Sequence, residues 1–155
     1  MTRQTYHAGC VVAGTIGILI QGRSGSGKSA LADELLYSAH AMGNYAALVS
    51  DDRTCLERRG NLLVAFAPET LQGLIEVRGI GIRSKAFEAE AVVRLVVDLV
   101  PGEELERLPD NPFPAEVLEE LAIPRLAAPA GDTRTAQRMV RWAIKELFPK
   151  TPSYI

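Results

Sequence analysis

Cysteine is scarce in this 155-residue chain: there are two, Cys10 and Cys55, without the close pairing of a metal knuckle or a redox motif. Each lies in a strand-like stretch and reads as a small buried hydrophobe. Long apolar runs are also missing. The longest, around residues 92–100, is broken by Arg94 and Asp98 and falls far short of the roughly 20 residues that a membrane span requires. The first seven residues, Met1-Thr2-Arg3-Gln4-Thr5-Tyr6-His7, contain no apolar core followed by a small-residue cleavage site, so export is not expected and the cytoplasm is the expected compartment. Nor is there a basic excess. Seventeen Lys and Arg against nineteen Asp and Glu give a net charge of −2, which excludes a general footprint for a nucleic-acid backbone. Arg53, Arg58 and Arg59 form only a local cluster, and internal repeats and low-complexity segments are absent.

The chain has the size and the apolar share, 47%, of a soluble globular protein, and we expect one domain over residues 1–155. Residues 6–12 and 15–21 are β-type runs joined at Ala13-Gly14, a predicted hairpin. From Ser29 the period changes: Leu31, Leu35, Ala39 and Met42 share one helical face, and Gly43-Asn44 is a stop signal. A buried strand over residues 46–50 ends in Asp51-Asp52. Residues 54–58 and 62–66 form a second hairpin across Arg59-Gly60-Asn61, and residues 74–77 and 92–100 are further strands, so a mixed sheet is expected. Proline at position 114 marks the first turn of a short predicted helix over residues 115–123. A final helix is capped by Asp132 or Thr133, carries Ala136, Val140, Ala143 and Leu147 on one face, and stops at Pro149.

The chemistry starts at Gly22-Arg23-Ser24-Gly25-Ser26-Gly27-Lys28-Ser29, which matches G-x-x-x-x-G-K-[ST] at every fixed position. Such a loop between strand and helix curls backbone N–H groups around phosphate. Its lysine reaches the β- and γ-phosphates and its serine hydroxyl can ligate Mg²⁺. A chance match in a chain of this length is roughly a one-in-a-few-hundred event on average composition. The loop leaves the reaction open among ATPase, switch and kinase. Asp51-Asp52 stands where a magnesium-linked carboxylate is often found, at the end of a strand parallel to the P-loop strand. On consecutive strand residues the two side chains are expected on opposite faces, one toward the phosphates and one anchoring the loop. Glu76 interrupts the apolar Leu74-Ile75-Glu76-Val77 and precedes two glycines, Gly79 and Gly81, that permit close backbone approach.

The segment IEVRGIGI, residues 75–82, resembles the signature of the bacterial HPr kinase/phosphorylases. HAGCVV from His7, LVSDDR over residues 48–53 and LERLPD around Arg107 follow the family's order. The resemblance spans nearly the whole chain but only the catalytic half of a typical member, a short form with the C-terminal catalytic domain only. It implies an α/β fold: a P-loop kinase-like mixed sheet of the PEP carboxykinase-like variant, with flanking helices and a C-terminal helix. It implies a kinase that uses ATP and Mg²⁺ to phosphorylate a serine of HPr, the phosphocarrier of the sugar phosphotransferase system. It also implies a reverse reaction in which inorganic phosphate attacks the phosphoserine, and a homo-oligomer, commonly a hexamer. By the same match Asp51 is the base toward the serine hydroxyl, with His7 beside it. Lys28 and Arg107 stabilise the transferring phosphoryl group. Ser29 and Glu76 hold the metal, with Asp52 as a further candidate, and residues 22–29 bind the nucleotide.

Two departures from the family pattern matter. Ala30 follows Ser29 where many members carry an acid. The late loop P-x-R-P-G-R, tied to the reverse reaction, corresponds to Ala128-Pro129-Ala130-Gly131-Asp132-Thr133, which lacks its arginines, although Arg125 and Arg134 are near in sequence. Phosphate attacking a phosphoserine brings two anions together, so loss of cations is expected to weaken that direction most. Two other readings stay open on the sequence: a nucleotide-binding regulatory module without turnover, and a P-loop kinase for a small metabolite.

Overall fold

The computed structural model describes residues 4–155. Its strands are β1 (Gln4–Tyr6), β2 (Ala8–Ala13), β3 (Ile16–Gly22), β4 (Ala46–Ser50), β5 (Thr54–Arg59), β6 (Leu62–Phe66), β7 (Leu74–Val77), β8 (Gly81–Ser84), β9 (Ala91–Val100), β10 (Ala115–Leu118) and β11 (Leu121–Pro129). Its α-helices are α1 (Lys28–Ala41) and α2 (Thr133–Leu147). The main sheet has the order β1-β5-β6-β9-β3-β2-β4, with β11 also beside β9 and β10 beside β11; β7 and β8 form a separate pair. The sheet is mixed, as its punctuation by two hairpins implies. Both hairpins form: β2 with β3 across Gly14, at φ +59, and β5 with β6 across Gly60, at φ +63.

Strand direction positions the site. Strand β9 runs parallel to β3 and to β11, whereas β2 is antiparallel to both β3 and β4. Strands β3, β4, β9 and β11 therefore point the same way, and their C-terminal ends lie on one edge, where open α/β sheets bind ligands. The parallel relation of β3 and β4 is indirect, because β2 lies between them.

Core packs on both faces, so the central strands read as continuous apolar runs rather than alternating ones. On one face Val11, Ile18, Ile20, Leu95 and Val97 meet Leu31, Leu35 and Leu36 of α1 and Val140 and Ile144 of α2. On the other, Cys10, Leu19, Val49, Leu56, Leu63 and Val96 meet Leu118 and Ile123. Helix α1 buries Leu31, Leu35 and Ala39 as its period requires, but Met42 is the exposed C-cap residue rather than part of that face. The Asp132 carboxylate caps α2 by accepting the Thr135 N–H at 3.1 Å. Among the described residues, no helix is long and apolar enough to cross a membrane.

The expected helix over residues 115–123 is a β-hairpin instead. Strands β10 and β11 pair antiparallel with Leu118 opposite Leu121, joined by Glu119 and Glu120, both at positive φ (+49 and +67). That is a two-residue turn of the twist that suits hairpins. Burial of Leu118 and Ile123, and the parallel pairing of residues 125–129 with β9, outweigh the helix preference of glutamate and leucine.

Candidate active site

The P-loop leaves β3 at Gly22 and enters α1 at Lys28. Gly25 (φ +82) and Gly27 (φ +99) take left-handed conformations that a side chain would resist. Gly27 is the N-cap, and no side chain caps the helix. The first N–H groups of α1 are thus left to a ligand, and the helix dipole favours an anion there. Lys28 is buried, at 6% exposure. Its ammonium donates to the carbonyls of Gly22 (2.9 Å) and Arg23 (3.2 Å), bridging the mouth of the cradle with its positive charge.

The acidic pair sits across from this loop. Strand β4 ends at Ser50, so Asp51 and Asp52 belong to a turn and the alternation of a strand does not govern them. Both turn toward the P-loop. The Ser29 hydroxyl donates to Asp51 Oδ1 at 2.7 Å, and the backbone N–H of Glu76 donates to Asp51 Oδ2 at 2.9 Å. His7 Nε2 lies 2.6 Å from Asp52 Oδ1, which is also 3.9 Å from Lys28 Nζ. The histidine's contact is therefore with Asp52, not with Asp51 as the sequence match implies. Gly9 of β2 lies beside this turn: a Cβ there would make ordinary contact with the Ser50 carbonyl at 3.5 Å and Asp51 Oδ1 at 4.0 Å.

Six of the expected residues thus meet at the acidic turn in two neighbouring groups: Asp51 with Ser29 and the Glu76 backbone, and Asp52 with His7 and Lys28. The Glu76 side chain is exposed on β7. Arg107 is also exposed, in the loop after β9, and makes no hydrogen bond or ion pair with the site among the described residues. Of the two arginines near the late loop, Arg125 is held by Asp98 at 3.1 Å, and Arg134 is exposed in the first turn of α2. The late loop itself touches the cradle, with the Gly131 N–H donating to the Ser26 carbonyl at 3.0 Å.

Other residues that build the site carried no motif. Ser50 and Thr54, fully buried at either end of the acidic turn, contact each other at 2.5 Å, and the Thr54 hydroxyl donates to the Ala8 carbonyl at 2.7 Å. Hydroxyl residues flanking a turn acid were the available signal. The Tyr6 hydroxyl, one residue before His7, donates to Glu119 at 2.6 Å. Burial, then that carboxylate, pushes the Tyr6 phenol up to about 12.

The donor set suits a nucleotide with its magnesium. Glycine-shaped N–H groups, a buried lysine and an uncapped helix start match a polyphosphate. Among the described residues no cluster of three or more His, Cys, Asp or Glu is arranged as a metal cage. Ser29, Asp51 and Asp52 bring side-chain oxygens to the contacts described here, whereas Glu76 reaches them through its backbone N–H.

A family model described as the HPr Serine kinase C-terminal domain matches residues 1–154. The chain belongs to this family. It is 33% identical to the HPr kinase/phosphorylase of Enterococcus faecalis over 163 residues, covering 98% of this chain and 50% of that protein. It is 42% identical to the HPr kinase/phosphorylase of an Acidovorax species over 115 residues, covering 66% of this chain and 34% of that protein. The chain thus spans half or less of the length of these relatives. Its fold matches the solved structure of the Hpr(Ser) kinase/phosphatase from Coxiella burnetii with a TM-score of 0.78 at 27% identity, over 95% of this chain and 94% of that one. The P-loop, acidic turn and signature hairpin of this family member accordingly sit on a fold shared with a solved relative.

Proposed function

We propose that the chain is a cytoplasmic, ATP- and Mg²⁺-dependent protein kinase that phosphorylates a serine of HPr, acting as a homo-oligomer. One observation carries the reading: the acidic turn at the strand edge faces the P-loop, with Asp51 bonded to Ser29 and Asp52 beside the buried Lys28 and His7. Family membership and the names of the relatives support HPr as the acceptor.

Phosphoryl transfer depends mainly on positioning and on cations near the phosphate oxygens. Lys28 neutralises charge at the β- and γ-phosphates, and the backbone N–H groups of Gly25, Gly27, Lys28 and Ser29 orient them. Magnesium, held through Ser29 and the neighbouring carboxylates, adds positive charge to the same phosphates when bound. A serine hydroxyl is a weak nucleophile, and a carboxylate within hydrogen-bond reach takes its proton as attack proceeds. The family match gives that task to Asp51, with Arg107 drawn in on binding. The His7–Asp52 contact favours a second assignment, in which Asp52 is the base and Asp51 orients Ser29.

Transfer of labelled γ-phosphate from ATP to HPr tests the reading. Lys28→Ala is expected to lower the rate by about 100-fold or more. Of Asp51→Asn and Asp52→Asn, the base variant loses turnover most while retaining nucleotide binding. ATP binding without transfer to HPr supports the regulatory module instead, and ATP consumption with a metabolite but not HPr supports a metabolite kinase. In reverse, phosphorylated HPr with phosphate is expected to release pyrophosphate much more slowly than forward transfer, given a late loop without cations. Comparable rates would refute that part.

A further inference from the structure

Asp52 is one of three non-glycine residues at positive φ among the described residues, at +63. The Arg53 N–H donates to the Asp51 carbonyl at 2.7 Å, so the chain closes over Asp52 alone. This is a γ-turn of the positive-φ type, which is rare and strained. Such a conformation persists only where its surroundings over-determine it, and it concentrates at functional sites.

The surroundings here are two hydroxyls. Ser50 and Thr54 flank the turn at positions i and i+4, exposed by 1% and 0%. A threonine hydroxyl has one proton. In Thr54 that proton goes to the Ala8 carbonyl, so in the 2.5 Å contact Ser50 is the donor. The resulting chain, Ser50 to Thr54 to Ala8, does two things. It clamps the ends of the turn together, and it ties the turn to the residue that follows His7. The partners of these two hydroxyls are each other and Ala8, whereas the acidic turn's side-chain contacts with the P-loop come from Asp51 and Asp52.

We propose that Ser50 and Thr54 are positioning residues. Their buried hydroxyl chain holds the strained turn so that Asp51 meets Ser29 while Asp52 meets His7 and Lys28. A structural role alone would be satisfied by any well-packed pair of this volume; the positioning role requires the hydroxyls themselves. In its kinetic readout the inference rests on the kinase reading above.

Thr54→Val replaces the hydroxyl by a methyl group at nearly constant shape, and Thr54→Ser keeps the hydroxyl. Thr54→Val is expected to lower kcat for transfer to HPr by about 10- to 100-fold, as small misplacements of reacting groups do. The ATP Kd, set by the P-loop, stays within about twofold, and Thr54→Ser recovers most of kcat. In a crystal structure of Thr54→Val, Asp52 leaves the positive-φ region. An unchanged kcat, equal impairment of the valine and serine variants, or an Asp52 φ that stays near its present value each overturns the proposal. Should Thr54→Val fail to fold, Ser50→Ala removes only the bond across the turn and is held to the same readouts. If the unmodified protein transfers no phosphate to HPr, the kinase reading fails, and the Asp52 conformation in Thr54→Val still decides this one.

Discussion

Replacing Glu120 by glycine and, separately, by alanine should separate the two through the sign of their difference. Glu120 stands at φ +67 in the β10–β11 turn, where a Cβ costs about 1–2 kcal/mol. Glycine relieves that strain but adds about 0.4–1 kcal/mol of unfolded-state entropy. Both variants lose the Arg58–Glu120 ion pair at 3.0 Å, which is exposed at both ends and worth about 0–1 kcal/mol. Glycine is therefore expected to be near or slightly above the parent in stability, and alanine slightly below it. The gap is about 0.5–1 kcal/mol in glycine's favour, or about 1–4 °C in Tm. The ion pair cancels from the comparison, so the gap reports the backbone alone. In the helix that propensity suggests for residues 115–123, the order reverses, because glycine costs about 1 kcal/mol relative to alanine there. Urea or thermal unfolding of the two variants settles the point, and an alanine variant more stable than the glycine one would refute the hairpin argument.

Two further tests concern the packing. Burial and the Glu119 carboxylate hold the Tyr6 phenol protonated to about 12, against 10.0 ordinarily. A raised folded value means that its contribution is complete below pH 10 and is lost as the pH rises from 10 to 12. Tyr45, held up to about 12 chiefly by its hydrogen bond to Glu88, contributes in the same window. Urea midpoints of the parent protein should fall across this range, more gently in Tyr6→Phe, and an identical slope in that variant would contradict the assignment. Both cysteines are buried, and burial pushes the Cys10 thiol up to about 12. Iodoacetamide at pH 8 should therefore leave the native protein unmodified and alkylate both thiols in urea, whereas ready native alkylation would contradict the core described for β2 and β5.

What was legible in the sequence was local. The P-loop declares itself because its glycines and lysine act within eight consecutive residues, and the two early hairpins because glycine supplies their positive φ at the turn. Asp132 could be read as a cap for the same reason. The failures involve distant partners. Nothing within residues 115–123 reports that β9 offers an unpaired edge to residues 125–129, so the glutamates and leucines read as helix. Asp51 and Asp52 invite the alternation rule because the apolar run before them is a strand. The strand stops one residue too early for that rule, at Ser50, and the turn's shape depends on Thr54 and on Ala8, over forty positions away. The β7–β8 pair was half visible: β7 follows from its apolar residues, but β8 is exposed throughout and has no buried face to mark it.

The placement of charge around the cradle bears on direction. Lys28 is the buried cation of the P-loop, and on the proposed reading it suffices, with magnesium, for a γ-phosphate leaving ATP toward a neutral hydroxyl. The reverse reaction needs a second anion brought against a phosphoserine, which calls for positive charge beyond what one lysine supplies. The late loop is well placed to provide it, since Gly131 is bonded directly to Ser26 of the P-loop, yet residues 128–133 contain no Lys or Arg. Arg125 is neutralised by Asp98. Arg134 is left, and it occupies the first turn of α2, where the helix dipole disfavours a cation. Its position is poor for helix stability and better suited to meeting an anion. Should pyrophosphate release prove comparable to forward transfer, Arg134 and the exposed Arg107 are the residues whose replacement by alanine ought to slow it, leaving the forward rate less affected.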